Sequence, residues 1–472
     1  MRSSLKFGIT IILSSCLACK VPTYTVRQES KMTPSSFAVE ADTTNAASIK
    51  WSVFFRDSLL VALIDSALTN NQELAILAQD IEIDKNEIRV KKGDYLPFVN
   101  FIGASGVDKS GKYTWNGLAE EDLKANPNKA PRYVGDQLLG AMASWEIDIW
   151  KKLRNARKAA VARYLYTIEG RNAAKTVLVA EIANSYYELL ALDNFLAVIN
   201  QNIVLQRNAL ELIRFEKEAA KVTQLAVNRF EAQLLNTENL QFEVKQQIIE
   251  TENRINFLVG RFPQTVTRSQ LPIGNLAIGI PQAGFPSQLL SNRADIRHAE
   301  LALAASKLDV QVAKASFFPS IRLTAGVGLN AFNAGYLIQP ASILYKMAGD
   351  IVAPLVNRNA IKAAYSTANL RQTSAAINYE KTVLNGFIEV SNDLSRIENY
   401  KNSFIIKEKE VGYLTQSIAV LNSLFSSARA DYIEVLLTQR EALNSKIELI
   451  ELKLKQLKAS VSLYRSLGGG WN

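Results

Sequence analysis

Apolar residues recur at three- and four-residue spacing over very long stretches of this chain. Helical periodicity starts near Ser58, passes Leu59, Leu63, Ala67, Leu74, Leu77 and Ile81, and runs to about Gly93. From Ile149 to about Arg214 there is no proline, and Gly170 is the one glycine. Within it Val177, Val179, Ile182, Tyr186, Leu189 and Leu192 fall on helical spacing, with polar residues between. At about 1.5 Å per residue this predicts a rod approaching about 100 Å. A second stretch covers 225–259, and the pattern returns over 361–424 and 432–467. Periodicity of this length predicts coiled-coil-like packing of rods.

Four shorter runs switch to period two. They predict strands at about 96–108, 137–149, 318–330 and 345–356. In the third, Ile321, Leu323, Ala325, Val327 and Leu329 alternate with Ser320, Arg322, Thr324, Gly326 and Gly328. The second sets Leu139, Ala141, Ala143, Trp145 and Ile147 against Gly140, Met142, Ser144, Glu146 and Asp148. Each run has the length of a tilted strand that crosses a bilayer, apolar on one face and charged on the other. Glu146, Asp148, Arg322, Thr324 and Asp350 on the charged faces are candidates to line an aqueous lumen. Four strands cannot close a transmembrane barrel, and open edges in lipid leave backbone groups unpaired. The strands therefore imply oligomerisation, and three copies would supply twelve.

The rods and strands are duplicated. Asn70-Asn71-Gln72-Glu73-Leu74 returns as Asn292-Arg293-Ala294-Asp295-Ile296, and Tyr95-Leu96-Pro97 as Phe317-Phe318-Pro319, 222 positions later. Glu181-Ile182-Ala183-Asn184 matches Glu389-Val390-Ser391-Asn392, and Leu258-Val259-Gly260 matches Ser466-Leu467-Gly468, at an offset of 208. The offset changes once, between Val107 and Gln137, so one loop of the first copy carries the extra residues. Two copies of a strand-helix unit follow, at 58–260 and 286–472, joined by a linker at 261–285.

Residues 1–19 read as an export signal: Arg2 and Lys6, an apolar stretch from Phe7 to Leu13, then small residues. No other run approaches the roughly 20 apolar residues of a membrane helix. Leu13-Ser14-Ser15-Cys16 resembles a lipobox, which makes Cys16 the candidate lipid-attachment residue, with Cys19 the alternative. Neither has aspartate at the next mature position, which by analogy with other lipoproteins favours outer-membrane delivery. Residues 20–57, polar and proline-containing at first, read as a tether.

The formal charge of +9 is spread along the helical segments, with no basic patch interleaved with aromatics, so no nucleic-acid partner is expected. The one histidine, His298, stands beside Glu300 without convergent ligands and reads as a surface or packing residue. Gly468-Gly469-Gly470 lacks the lysine of a phosphate loop. Neither catalytic residue, metal nor cofactor is expected. A structural coiled-coil surface protein would account for the rods but not for duplicated amphipathic strands.

Several motifs, in order, resemble the TolC-like outer-membrane efflux proteins, in particular the lipoprotein branch of NodT/OprM-like outer-membrane factors. They are Pro286-Ser287-Gln288-Leu289-Leu290, Arg293 to Glu300, Phe317-Phe318-Pro319-Ser320-Ile321, Trp145-Glu146-Ile147-Asp148, and the terminal Leu463 to Trp471. Pro22-Thr23-Tyr24 fits the family's leader, and Ala294 stands where proline is usual. The resemblance covers nearly all of the mature chain. It implies a mainly α fold with a small membrane β part: a homotrimer whose twelve-stranded barrel continues into a long α-helical barrel. Such a duct sits in outer-membrane lipid and extends into the periplasm. It is passive, and works with a periplasmic adaptor (membrane fusion protein) and an inner-membrane pump of the resistance-nodulation-division type. The lipoprotein leader and the Arg-Ala-Asp-Ile signature favour efflux of small molecules; a type I protein secretion exit duct is the alternative.

The turns Ala219 to Gln224 and Ser427 to Tyr432 lie far from the strands along the rods and predict the periplasmic tips. Ala220, Lys221, Val222, Thr223, Ala428 and Arg429 are the candidate adaptor contacts. By resemblance Glu434 stands where the family places an acidic constriction ring, with Arg429, Asp431 and Tyr432 as further aperture residues. Leu437 occupies the second acidic position, and Ala220 and Ala428 stand where glycine is usual.

Overall fold

The computed structural model describes residues 21–24, 27–37, 49–109, 111, 113–115, 134–276, 279, 283–356, 358–427 and 429–471. Among them the main helices are α1 (Ser58–Asn70), α2 (Gln72–Asp94), α3 (Lys152–Glu218), α4 (Gln224–Val259), α5 (Ala294–Ala315), α6 (Asn359–Ser426) and α7 (Tyr432–Ser466). The strands are β1 (Phe98–Asp108), β2 (Val134–Ile147), β3 (Ser320–Ala331) and β4 (Ile343–Val352). Helices α3 and α6 run 67 and 68 residues without interruption, as the proline-free periodicity requires.

The chain forms two compact units that cut across the two copies. One comprises Met1–Gln28, Glu82–Leu165 and Leu301–Ile377; the other comprises Glu29–Ile81, Tyr166–Glu300 and Asn378–Asn472.

The first unit holds the sheet, an antiparallel meander in the order β1-β2-β3-β4. The copies meet at β2 and β3, where Leu139 faces Leu329 and Ala143 faces Ala325. Strand β4 stops at Val352, just short of Pro354, which has no N–H to give to a ladder. Strands β1 and β4 are the edges, and neither has a second neighbour among the described residues. Val99, Phe101, Val107, Val327, Tyr345, Met347 and Ile351 are all exposed on one face of this sheet.

The second unit holds the main core, in which Leu60 and Ile64 of α1 pack with Tyr186 and Leu189 of α3, Ile255 of α4 and Val461 of α7. Among the described residues one window of α3 is apolar enough by length and composition to cross a membrane, against the expectation that no run beyond the export signal is. Burial accounts for α3: Leu178, Ile182, Tyr186 and Leu189 lie inside this core. The linker docks through Arg268, whose Nε sits 2.5 Å from Asp193 and Nη1 2.5 Å from Glu252. Much of the described tether is packed rather than free. Lys31 pairs with Glu300 at 2.5 Å, Phe37 stacks on Phe387 at 5.4 Å, and the turn Trp51–Phe54 places Phe54 on Tyr464 at 4.2 Å.

The periodicity predicted one helix from Ser58 to Gly93; the structure breaks it at Asn71, which is extended (φ −63°, ψ 125°). Asn71 Oδ1 accepts from the Leu74 N–H at 3.0 Å, capping α2, while Nδ2 donates to the Leu258 carbonyl at 2.9 Å. The second copy repeats the break at Arg293 (φ −82°, ψ 116°), whose Nη1 donates to the Ser466 carbonyl at 2.8 Å. Helices α4 and α7 then end on glycine in the left-handed region, Gly260 (φ +81°) and Gly468 (φ +96°). A Cβ on either would come within 2.5 Å of a backbone oxygen, that of Asn70 or of Asn292. The same contact is thus built twice, through residues related by both offsets.

Candidate channel-lining and gate residues

The register sets Glu146 of β2 opposite Arg322 of β3, and Arg322 opposite Asp350 of β4. These residues form one row of alternating charge across three strands. Ser144, Thr324 and Ala348 make the next row on the same face, with the Thr324 hydroxyl 3.4 Å from the Ala348 carbonyl. Lys152, at the start of α3, reaches Glu146 at 3.3 Å. Opposite charges directly across a sheet support the pairing as well as polarising that face.

Asp148, expected on the charged face, lies one residue beyond β2 and is buried. Its carboxylate accepts from the Leu153 and Arg154 N–H groups at 3.0 and 2.9 Å and from Arg154 Nε at 3.1 Å. It therefore satisfies the free donors at the head of α3 rather than facing an aqueous surface. Lys151 between them takes φ +61°, which tightens the strand-to-helix turn enough for Asp148 to reach back.

The tips come together. Lys221, Val222 and Thr223 from the first turn line one cleft with Arg429, Asp431, Tyr432 and Glu434 from the second. Apolar packing holds the two turns in place: Val222, Phe425, Tyr432 and Leu436 lie against the cluster of Ile213, Ala226 and Phe230. Glu434 is exposed in the first turn of α7, its N–H bonded to the Asp431 carbonyl at 3.1 Å. Asp431 precedes the helix, but its side chain caps nothing and is exposed. Cys16, Cys19 and Ala428 lie outside the described residues.

Ala220 adopts φ +54° and ends α3 as glycine would. Its N–H donates to the Lys217 carbonyl and that of Lys221 to the Glu216 carbonyl, both at 2.9 Å, the paired bonds of a left-handed helix cap. The alanine leaves the shape of the turn intact and accepts the strain. Ala220→Gly is expected to stabilise the tip by about 1 kcal/mol, read as a higher melting temperature of the purified protein.

No pattern along the chain points to the cluster around Arg293. Its guanidinium is buried and reaches Asp295 at 2.7 Å and Glu389 at 2.8 Å. Burial pushes the pKa of Arg293 down, but the two carboxylates outweigh it, so the group stays charged. The residues lining the small cavity there, Thr176, Glu389, Arg465 and Gly468 among them, come from four separate stretches of chain. Only folding brings them together. His298 stacks on Tyr166 at 3.6 Å over Gly170, the packing role expected of it, and burial lowers its pKa. Among the described residues no group of His, Cys, Asp and Glu is arranged to hold a metal.

Comparison with known proteins agrees with this geometry. The family model described as outer membrane efflux protein matches residues 63–261 and 285–469. The solvent efflux pump outer membrane protein SrpC of Pseudomonas putida is 26% identical over 89% of this chain and 87% of that protein. The cation efflux system protein CusC of Escherichia coli O6:H1 is 25% identical over 99% of this chain and 98% of that protein. The solved outer-membrane channel OprN superposes with a TM-score of 0.85 at 21% identity, over 96% of this chain and 100% of that chain. With long helices, a small charged-faced sheet and both repeats matched, this chain belongs to the outer membrane efflux protein family and is the outer-membrane channel component of an efflux system.

Proposed function

We propose that three copies of this chain close a twelve-stranded barrel and form a passive duct for small molecules across the outer membrane and periplasm. The observation that carries this reading is the sheet whose two edges have no partner among the described residues and whose apolar face is exposed. Neither water nor lipid satisfies such a sheet, and only pairing of β4 with β1 of another copy removes its edges. The charged row Glu146–Arg322–Asp350 then faces the bore, and the apolar face meets lipid. A lipid on Cys16, or on Cys19, adds a second attachment. The relatives' names, solvent efflux pump and cation efflux system, support small cargo. From the family resemblance of the sequence motifs we further infer that the duct works with a periplasmic adaptor and an inner-membrane pump of the resistance-nodulation-division type. The tip cleft, with Lys221, Val222, Thr223 and Arg429, is the proposed adaptor contact.

At the aperture, three copies of Glu434 facing one another attract cations and repel anions. Native mass spectrometry of detergent-solubilised protein tests the stoichiometry, and a trimer is expected. In planar bilayers the trimer is expected to conduct and to prefer cations, and Glu434→Ala to lower that preference severalfold. Unchanged selectivity removes Glu434 from the constriction, and a non-conducting monomer removes the duct.

A further inference from the structure

The duplication lets each position be compared with its counterpart in the other copy. In the long helices the offset is 208, so Leu235, Phe242 and Ile249 of α4 correspond to Leu443, Ile450 and Leu457 of α7. The second-copy stripe is covered: Leu443 and Leu457 are 4% and 3% exposed, and Ile450 packs against the main core. The first-copy stripe is open, at 59%, 66% and 52% exposure. Three large apolar side chains at heptad spacing in water form a seam without its partner helix.

What covers α7 indicates what covers α4. Leu457 shares a core with Tyr186 and Leu189 of α3, and beside it Lys458 Nζ lies 2.8 Å from Glu188 Oε2. Shifted by 208 residues, α3 becomes α6 and α7 becomes α4, so Glu188 maps onto Arg396 and Lys458 onto Glu250. The charges exchange places, and the pair stays complementary. Within one chain Arg396 turns to Asp393 at 2.9 Å and Glu250 accepts from Gln246 at 2.9 Å, and both are exposed.

We propose that α4 of one copy seats against α6 of a second copy of this chain, and that Glu250 pairs with Arg396 across that interface. The inference rests on the trimer proposed above. The exchange of charge also sets the order of helices around the ring. Seating α4 against α3 of another copy would oppose Glu188 and Glu250, and seating α7 against α6 would oppose Lys458 and Arg396. At these mapped positions both alternatives oppose like charges and alternation of first and second copies opposes unlike ones, while Arg254 of α4 serves Glu188 within the chain at 3.0 Å.

Charge reversal tests this on the full-length, detergent-solubilised protein. Glu250→Arg and Arg396→Glu singly are expected to speed subunit dissociation by roughly three- to tenfold, and the double exchange to restore the wild-type rate. The folded body has no cysteine, so Glu250→Cys/Arg396→Cys treated with a short bismaleimide gives a second readout. A ladder of linked dimers and trimers is expected from the double variant alone. A wild-type trimer with neither charge coupling nor linkage overturns the pair and leaves the trimer standing. Wild-type protein that is not trimeric overturns the reading beneath it.

Discussion

Replacing Arg293 by methionine is expected to destabilise the helical unit by about 1–3 kcal/mol, because it leaves a buried helix carbonyl without its donor and a half-buried carboxylate without its cation. The guanidinium side chain is 7% exposed and holds Glu389 at 2.8 Å while donating to the Ser466 carbonyl at 2.8 Å. Asp295 is more exposed and recovers water when the cation goes; Glu389 and the end of α7 recover it less readily. The first copy shows an apolar solution to the same junction. There Asn71 alone caps the Leu258 carbonyl, and Leu178 occupies the position of Gly386, whose absent Cβ would stand 3.2 Å from Arg293 Nε. Arg293→Asn/Gly386→Leu, which copies the first arrangement into the second, should therefore recover much of the loss that Arg293→Asn produces. Melting of the solubilised protein, followed by circular dichroism, measures both. Equal melting of Arg293→Met and wild type would mean that the cluster is not needed to hold α5 to α7.

Gly328→Val is expected to abolish assembled channel, the larger effect of the two on function. Gly328 and Gly140 face each other across β2 and β3, where the two copies join. A Cβ on Gly328 would lie 2.5 Å from the Leu139 carbonyl oxygen and 2.8 Å from Gly140 Cα, both backbone atoms that cannot rotate away. The strands must separate or slip, and a slip by one residue turns every apolar side chain to the charged face. The penalty exceeds about 3 kcal/mol, above the usual range for overpacked side chains. The neighbouring glycine supplies the control. A Cβ on Gly326 meets the flexible Met142 side chain at 3.4 Å, so Gly326→Ala should assemble normally. Heat-resistant trimer on gels and conductance in bilayers separate these outcomes. Assembly of Gly328→Val at wild-type levels would contradict the close approach.

The rods, the strands, the duplication and the two helix-to-helix turns could all be read from the chain. Each follows from a local rule: side-chain period fixes helix or strand, and a constant offset between similar segments fixes the repeat. The register of β2 with β3 was not readable, since alternation shows which face a residue takes but not which residue opposes it. Glu146, Arg322 and Asp350 thus fall on one shared face by pattern, while their alignment into a single row comes from pairing. Asp148 kept the alternation and left the sheet, because the head of α3 offers it backbone donors at shorter reach than any solvent-facing site. Asn71 and Arg293 look like a poor match in sequence, yet both end a helix against equivalent carbonyls, those of Leu258 and Ser466, one as a neutral amide and the other as a buried cation. A side chain's length and charge are settled by the space that distant residues leave it, here Leu178 or Gly386, and that space exists only once the helices have packed.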